Sequence, residues 1–452
     1  MNDARPIDAP PHAALLRRRI ASRDAVFGVV GLGHVGLPLA AAAAGAGLST
    51  LGFDIDDATC AALMRGESHL RHFPSEGISG PVAAGRLRAT TDVARLAEPD
   101  VLAICVPTPL TDAREPDLGP LTRAARDIAT RLRPGQLVIV ESTTYPGTTE
   151  EVVRPILEAG GLVCGHDVFL AFAPEREDPG NTAFGTRNTP KVVGGSCPEA
   201  RRLARDLYGL FTDRVVTVSD TRTAEAVKLA ENVFRAVNIA LANELKDVLE
   251  PMGVDIWEVI EAAATKPFGY MPFHPGPGLG GHCIPVDPHY LAWKARAHGR
   301  AARVVELAAE INAAMPGRVA ARVAEALARR GGTGVRGARI LVLGVAYKRN
   351  VADVRESPAL RIIERLEAMG AATDFHDPQV ARLPALAAHP GLSGRAGVAW
   401  RDDLAAGYDA ALVVTDHDAV DYRAVVRHAP LVVDTRNACR RAGASGANLV
   451  LA

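Results

Sequence analysis

The sequence predicts an α/β protein with two Rossmann-like doubly wound domains joined by an all-helical central region. Three observations predict it. Short apolar runs alternate with helical stretches from residue 25 to about 220; a long stretch from Thr221 has helical spacing and few breakers; and after Arg336-Gly337 the strand rhythm returns. The length of 452 residues exceeds what one core organises, so more than one domain is expected.

In the first section, residues 25–30, 48–53, 101–106, 137–140 and 168–172 are apolar runs bounded by turn residues. They suit strands buried on both faces of a parallel sheet. Residues 121–132 and 148–159 carry helical spacing between them. The middle reads as a helical stretch over 221–264, broken only near Pro251-Met252-Gly253. A Gly/Pro/His-rich loop follows over 266–289, then a second helical stretch ending at Met315-Pro316. Its apolar stripes suit a dimer interface, and equally a helix pair buried within one chain. The last section has strand-like runs at 339–343, 372–375, 410–414 and 431–433. The expected divisions are a flexible extension over 1–24 and domains over 25–220, 221–318 and 319–452.

Composition narrows the function. Hydrophobic residues make up 48% and charged residues 23%, and 51 Lys plus Arg balance 52 Asp plus Glu for a formal net charge of -1. A generally basic nucleic-acid binder is excluded, although a local basic pocket for a phosphorylated small molecule is not. The six cysteines are scattered without a C-x-x-C pair, which argues against a disulfide framework or zinc ribbon. No apolar run reaches the length of a membrane span, and residues 1–24 lack a signal-peptide core, so a cytoplasmic protein with no membrane partner is expected.

Gly31-Leu32-Gly33-His34-Val35-Gly36 directly follows the first strand and opens a helix. Gly31 permits the tight turn, Gly33 lets backbone approach a pyrophosphate, and Gly36 lets helix and strand pack closely. The helix N-terminus offers N–H groups and a positive dipole end to phosphate. Asp54 ends the next strand, 18 residues past Gly36. A carboxylate there accepts the ribose hydroxyls and repels a 2′-phosphate, so the cofactor expected is NAD. Read alone, Asp54 could instead be a helix cap.

The richest stretch runs from Phe273-His274-Pro275-Gly276-Pro277-Gly278 through Leu279-Gly280-Gly281-His282-Cys283 to Ile284-Pro285-Val286-Asp287. Its glycines and prolines give a fixed, open backbone able to approach a ligand. Cys283 could be a nucleophile if a cation or donor lowers its pKa, or a small buried hydrophobe. His274, His282, Cys283, Asp287 and His289 are ligand-type residues, but their spacing matches no zinc motif, and no metal is expected. Lys228 and Asn232 are four residues apart in a helical pattern and so share one face, which without further context could be a solvated one.

These motifs resemble the UDP-glucose/GDP-mannose dehydrogenase family of nucleotide-sugar 6-dehydrogenases. The resemblance also rests on Glu141-Ser142-Thr143-Thr144-Tyr145-Pro146-Gly147-Thr148-Thr149, on Lys228-Leu229-Ala230-Glu231-Asn232, and on Gly344-Val345-Ala346-Tyr347-Lys348 with Arg355. It covers nearly the whole chain from residue 25. It implies a homodimer or higher oligomer through the central helices and a UDP-sugar site in the C-terminal domain. The implied reaction is an NAD-dependent four-electron oxidation of a sugar C6 alcohol to a carboxylate, with Cys283 holding the aldehyde as a thiohemiacetal and then as a thioester.

By the same resemblance, Lys228 stabilises the oxyanion and Asn232 positions it or a water. Asp287 assists base chemistry or orients water, Glu175 serves thioester hydrolysis, and Thr143 touches cofactor and water. Pro107 and Thr108 line the nicotinamide side, and Arg355 reaches the NAD phosphates. Lys348 and Arg436 bind the nucleotide sugar, beside Phe273 and Gly280. The residues around Cys283, the Lys266-Pro267-Phe268-Gly269 stretch and Pro174-Glu175-Arg176-Glu177-Asp178-Pro179-Gly180 look most like the UDP-N-acetylglucosamine branch. UDP-N-acetylmannosamine ranks second and UDP-glucose third. A non-catalytic nucleotide-sugar binder and a two-electron NAD dehydrogenase are the competing classes.

Overall fold

The computed structural model describes residues 11–70, 73–111, 113–178, 180–181, 183–281, 284–331 and 334–452. They belong to two compact units, Met1–Glu231 with His289–Arg300, and Asn232–Pro288 with Ala301–Ala452.

The first unit is built on an eight-stranded sheet of β1 (Val26–Val30), β2 (Ser49–Phe53), β3 (Leu87–Thr90), β4 (Val101–Ile104), β5 (Leu137–Val140), β6 (Phe169–Phe172), β7 (Lys191–Gly195) and β8 (Val215–Thr217), in the order β3-β2-β1-β4-β5-β6-β7-β8. Its pairs are parallel except β6 with β7, which run antiparallel. Every residue of β4, β5 and β6 is buried, which is why these strands read as unbroken apolar runs. β3 and β8 lie at the two edges and keep partly exposed residues, so their sequences carry no such run. β7 carries Gly194 and Gly195 because a Cβ would come within 2.0 Å of the Asp220 carbonyl oxygen at the first and 2.4 Å of the Arg201 nitrogen at the second.

Residues 11–22 depart from the expected flexible extension: Pro11–Ser22 is a helix. Ala13, Leu16 and Ile20, spaced by three and four, are buried in the core beside the helix Pro198–Tyr208. Arg17 pairs with Asp206, and Arg19 with the buried Asp100. The run of arginines hid an apolar stripe that occupies one position per turn.

The second unit takes the helix Thr221–Leu249 from Asn232 onward, the helices Ile256–Ala264 and Arg303–Arg329, and an all-parallel sheet. Its strands are β9 (Arg339–Leu343), β10 (Ala372–His376), β11 (Ala410–Val413), β12 (Val432–Asp434) and β13 (Leu449–Leu451), in the order β10-β9-β11-β12-β13. The helical stretch expected to stop at Met315-Pro316 continues to Arg329, so the expected boundary at 318–319 falls inside one helix. Pro316 removes one helical hydrogen bond. The carbonyl this leaves, on Asn312, borders the Gly278 turn, where a Cβ would come within 3.3 Å of it.

Candidate active site

The glycine loop grows from the end of β1. Gly31 has φ +93°, and a Cβ there would lie 2.8 Å from the Cys105 carbonyl oxygen, so only glycine makes this turn without strain. At Gly36, the first residue of the helix Gly36–Gly45, a Cβ would sit 1.8 Å from the Gly31 carbonyl oxygen. Gly33 is different, since a Cβ there would meet nothing within 4 Å. The space its missing side chain leaves lies open at the helix N-terminus, as an approaching pyrophosphate requires. Leu32 is buried while His34 and Val35 are half-buried.

Asp54 follows β2 directly and is not the cap of the next helix, a role that Asp56 fills through the Ala58 and Thr59 amides. Asp54 accepts the Leu32 N–H at 2.8 Å and the Asp56 N–H at 3.1 Å. Each carboxylate oxygen keeps lone-pair capacity for a ribose hydroxyl.

The carboxyl ends of β4 and β5 form the adjoining wall. Pro107 is exposed and Thr108 buried, the Thr108 hydroxyl donating to the Thr143 carbonyl at 2.8 Å. The Ser142 hydroxyl donates to the Val106 carbonyl at 2.7 Å. One carboxylate, which sequence reasoning passed over, organises the Thr143–Thr149 turn from below. Glu225 accepts the Gly147 N–H at 2.5 Å, the Thr149 N–H at 2.8 Å and the Thr149 hydroxyl at 2.7 Å. Burial outweighs these bonds and pushes its pKa up to about 7. Glu225 stands one helical turn before Lys228, which was the available signal.

Lys228 is buried on the helix Thr221–Leu249, and its ammonium donates to the Glu175 carbonyl. Glu175 lies just past β6, half-buried, and its carboxylate accepts the Glu177 N–H. Burial, then the charge of Glu175, pushes Glu177 up to about 7. Behind Glu175 lies a charged core that sequence reasoning did not anticipate. The Lys191 ammonium is 2.6 Å from Glu141 and 3.7 Å from the Glu175 carboxylate, and Glu141 also takes the Tyr208 hydroxyl.

In the second unit, the buried Asn232 amide donates to the buried Asp287 carboxylate. Phe273 packs edge-on to Phe234, with ring centroids 5.6 Å apart. The Gly276 N–H donates to Asn243 at 2.9 Å, and Asn243 bonds Asn312 across two helices at 3.2 Å. Arg436 donates to the Val414 carbonyl at 3.0 Å and rests against Gly276, where a Cβ would come within 2.6 Å of its guanidinium.

The missing side chain at Gly280 makes room for Tyr347. A Cβ there would lie 2.7 Å from Tyr347 Cβ, and Gly281 passes the ring of the same tyrosine. Lys348 is half-buried one residue further on. Arg355 is exposed with its guanidinium on Asp353 at 2.7 Å, while its carbonyl accepts the Gly281 N–H at 3.0 Å. His282 and Cys283 lie outside the described residues. Among the described residues no three His, Cys, Asp or Glu side chains gather as metal ligands. No helix among them is long and apolar enough to cross a membrane.

Comparison with known proteins gives the family. The NAD-binding, central and UDP-binding domain models of the UDP-glucose/GDP-mannose dehydrogenase family match residues 25–212, 222–314 and 341–441. UDP-N-acetyl-D-glucosamine 6-dehydrogenase of Pseudomonas aeruginosa is 37% identical, over 80% of this chain and 85% of its own. UDP-N-acetyl-D-mannosamine dehydrogenase of Salmonella typhi is 36% identical, over 91% and 98%. The solved UDP-D-ManNAc dehydrogenase of Pyrococcus horikoshii superposes with a TM-score of 0.85 at 34% identity, covering 94% of this chain and 98% of that one. The open cradle at Gly33 fits NAD, and with the three domain models in order the chain belongs to the UDP-glucose/GDP-mannose dehydrogenase family, as an NAD-dependent UDP-sugar dehydrogenase.

Proposed function

We propose that the chain oxidises the C6 hydroxyl of UDP-N-acetyl-D-glucosamine to the carboxylate, for synthesis of a surface polysaccharide. One sugar and one water are consumed with two NAD, giving the uronate, two NADH and three protons. NAD, when bound, supplies the electron acceptor for each of the two oxidations. The observation that carries the reading is the buried Lys228 ammonium held on the Glu175 backbone carbonyl, which sets a cation on the segment that carries the Glu175 carboxylate just past β6. Lys228 stabilises the oxyanion that develops at C6. Asn232, anchored by Asp287, orients it or a water. Cys283 is the nucleophile that retains the half-oxidised sugar, and Glu175 takes a proton from the water that releases the product. Thr143, Pro107, Thr108 and Arg355 serve the cofactor, while Phe273, Gly280, Lys348 and Arg436 serve the nucleotide sugar.

The order of domains stays with this reading: NAD at 25–220, then a helical middle, then a UDP-sugar domain, with the second boundary moved from 318–319 to beyond the helix that ends at Arg329. Phe234, Leu241, Leu245 and Val248, spaced by seven, four and three on the long helix, present exposed apolar side chains, and a second copy of the chain covers them.

UDP-N-acetyl-D-mannosamine is the second reading, favoured by the Salmonella relative's fuller coverage and by the Pyrococcus structure. NADH production from UDP-GlcNAc, UDP-ManNAc, UDP-GalNAc and UDP-glucose, compared as kcat/KM, decides. UDP-GlcNAc is expected to lead with two NADH per sugar. A lead for UDP-ManNAc selects the second reading, and one NADH per sugar overturns the four-electron chemistry. Cys283→Ser with undiminished turnover removes the covalent step.

A further inference from the structure

We propose that Lys191 is a positioning residue for thioester hydrolysis: from inside the first unit it holds the Glu175 carboxylate ready to take a proton from water. The proposal rests on the reading of Glu175 given above and deepens it.

Lys191 opens β7, which runs antiparallel to β6, and this reversal brings its side chain beneath the segment leaving β6. Its ammonium is buried and lies 2.6 Å from Glu141, at the end of β5, and 3.7 Å from Glu175. It sits 5.0 Å from the centre of the Tyr208 ring, whose hydroxyl meets Glu141. Among the described residues no other cation forms an ion pair with the Glu175 carboxylate. The neighbouring Arg176 is engaged by Glu231 and the Pro190 carbonyl, and Lys228 reaches only the Glu175 backbone.

Three carboxylates, Glu141, Glu175 and Glu177, therefore converge on one buried ammonium, with Cys105 and Tyr208 as the remaining titratable groups around it. Burial opposes the charge on Lys191, but Glu141 and then Glu175 outweigh it and hold the ammonium above its ordinary range. Lys191 thus stays charged wherever the enzyme works. Without it, the Glu175 carboxylate would lose its ion-pair partner among the described residues, and with it the contact that fixes where the carboxylate stands toward water.

In the step concerned, the oxygen of water forms the new bond to the thioester carbon. One of its protons passes to Glu175, and the C–S bond breaks with its electron pair leaving on Cys283. Nothing in this step changes oxidation state, and the thioester is itself the product of the second oxidation, so both NADH form before Lys191 matters.

The test uses full-length enzyme with UDP-N-acetylglucosamine, or UDP-N-acetylmannosamine if that is the sugar turned over. Removing Lys191 alone strands Glu141 as a buried charge, so the double variant Lys191→Met/Glu141→Gln, which removes the pair together, accompanies Lys191→Met. We expect an unchanged NADH burst in the first turnover, a steady-state kcat lowered about tenfold or more, and an acyl adduct accumulating on the enzyme by intact mass. Lys191→Arg restores turnover. Steady-state turnover at the wild-type rate without adduct in the double variant overturns the proposal, as does loss of the burst together with turnover. Glu175→Gln separates the two levels. If it traps no adduct, the reading of Glu175 fails. If it traps adduct while the double variant does not, only the role of Lys191 fails.

Discussion

Glu225 illustrates how a single buried carboxylate makes the stability of the fold depend on pH. It accepts three hydrogen bonds from Gly147 and Thr149, yet burial still lifts its pKa from 4.5 to about 7. A carboxyl whose folded pKa lies above its unfolded value binds its proton more tightly in the folded state. Its contribution to stability therefore falls as pH rises between 4.5 and about 7, by roughly 3 kcal/mol in total. Glutamine does not titrate, so the stability difference between Glu225→Gln and wild type should move in favour of glutamine over that interval. Urea unfolding at several pH values measures it, and a pH-independent difference would mean that the carboxylate stays ionised in the fold throughout. The contrast with Asp54 shows what a sequence discloses at this scale. Asp54 is legible because it stands at a fixed distance from a glycine pattern. Lys191 and Asn243 act through partners far away in the chain, so nothing adjacent in sequence marks them, and Glu225 is marked only by standing one helical turn before Lys228.

At the scale of elements, legibility followed burial on both faces. β4, β5 and β6 stood out as apolar runs because no residue in them reaches water. The edge strands β3 and β8 and the glycine-bearing β7 did not. The helix Pro11–Ser22 was missed because arginines fill the turns between Ala13, Leu16 and Ile20, where charged ends reach Asp206 and Asp100. On the long helix the same accounting leaves an excess, since Leu241 and Leu245 are 51% and 41% exposed on one stripe. Exposed leucines at that spacing cost little only when a partner covers them. If a second copy covers this stripe as proposed, Leu245→Asp should lower the mass seen by light scattering to that of one chain while circular dichroism at low concentration stays unchanged. A dimer that persists through Leu241→Asp/Leu245→Asp would mean that copies associate elsewhere.

Across the whole molecule, one strand-turn-strand design is used twice with different outcomes. Gly31 after β1 and Gly344 after β9 both have positive φ, +93° and +84°. Each donates its N–H to the last residue of the neighbouring strand, Phe53 at 2.7 Å and His376 at 2.9 Å. Each following strand ends in an aspartate that accepts the next loop amide, Asp54 from Leu32 and Asp377 from Val345. Asp54 has two amide partners and keeps capacity for a ligand. Asp377 is consumed by the protein: it accepts Val345, Ala346, Gln379 and Val380 amides and the fully buried His417 at 3.0 Å. His417 Nδ1 in turn accepts the Asn350 N–H, so its proton lies on the nitrogen facing Asp377. The returning strand rhythm disclosed the second sheet, but the engagement of Asp377 by a histidine 40 residues away was invisible. The two aspartates should respond oppositely to truncation. Asp54→Ala leaves the exposed Asp56 amide to water and strands only the part-buried Leu32 amide, so its denaturation midpoint falls less than that of Asp377→Ala while the KM for NAD rises about tenfold or more. Asp377→Ala strands four amides and an imidazole, so stability falls by about 3 kcal/mol or more, while NAD affinity measured on the remaining folded enzyme is retained. Nucleotide titration beside chemical unfolding of both variants distinguishes these outcomes. An Asp377→Ala protein of wild-type stability would mean that the second carboxylate is as free for a ligand as the first.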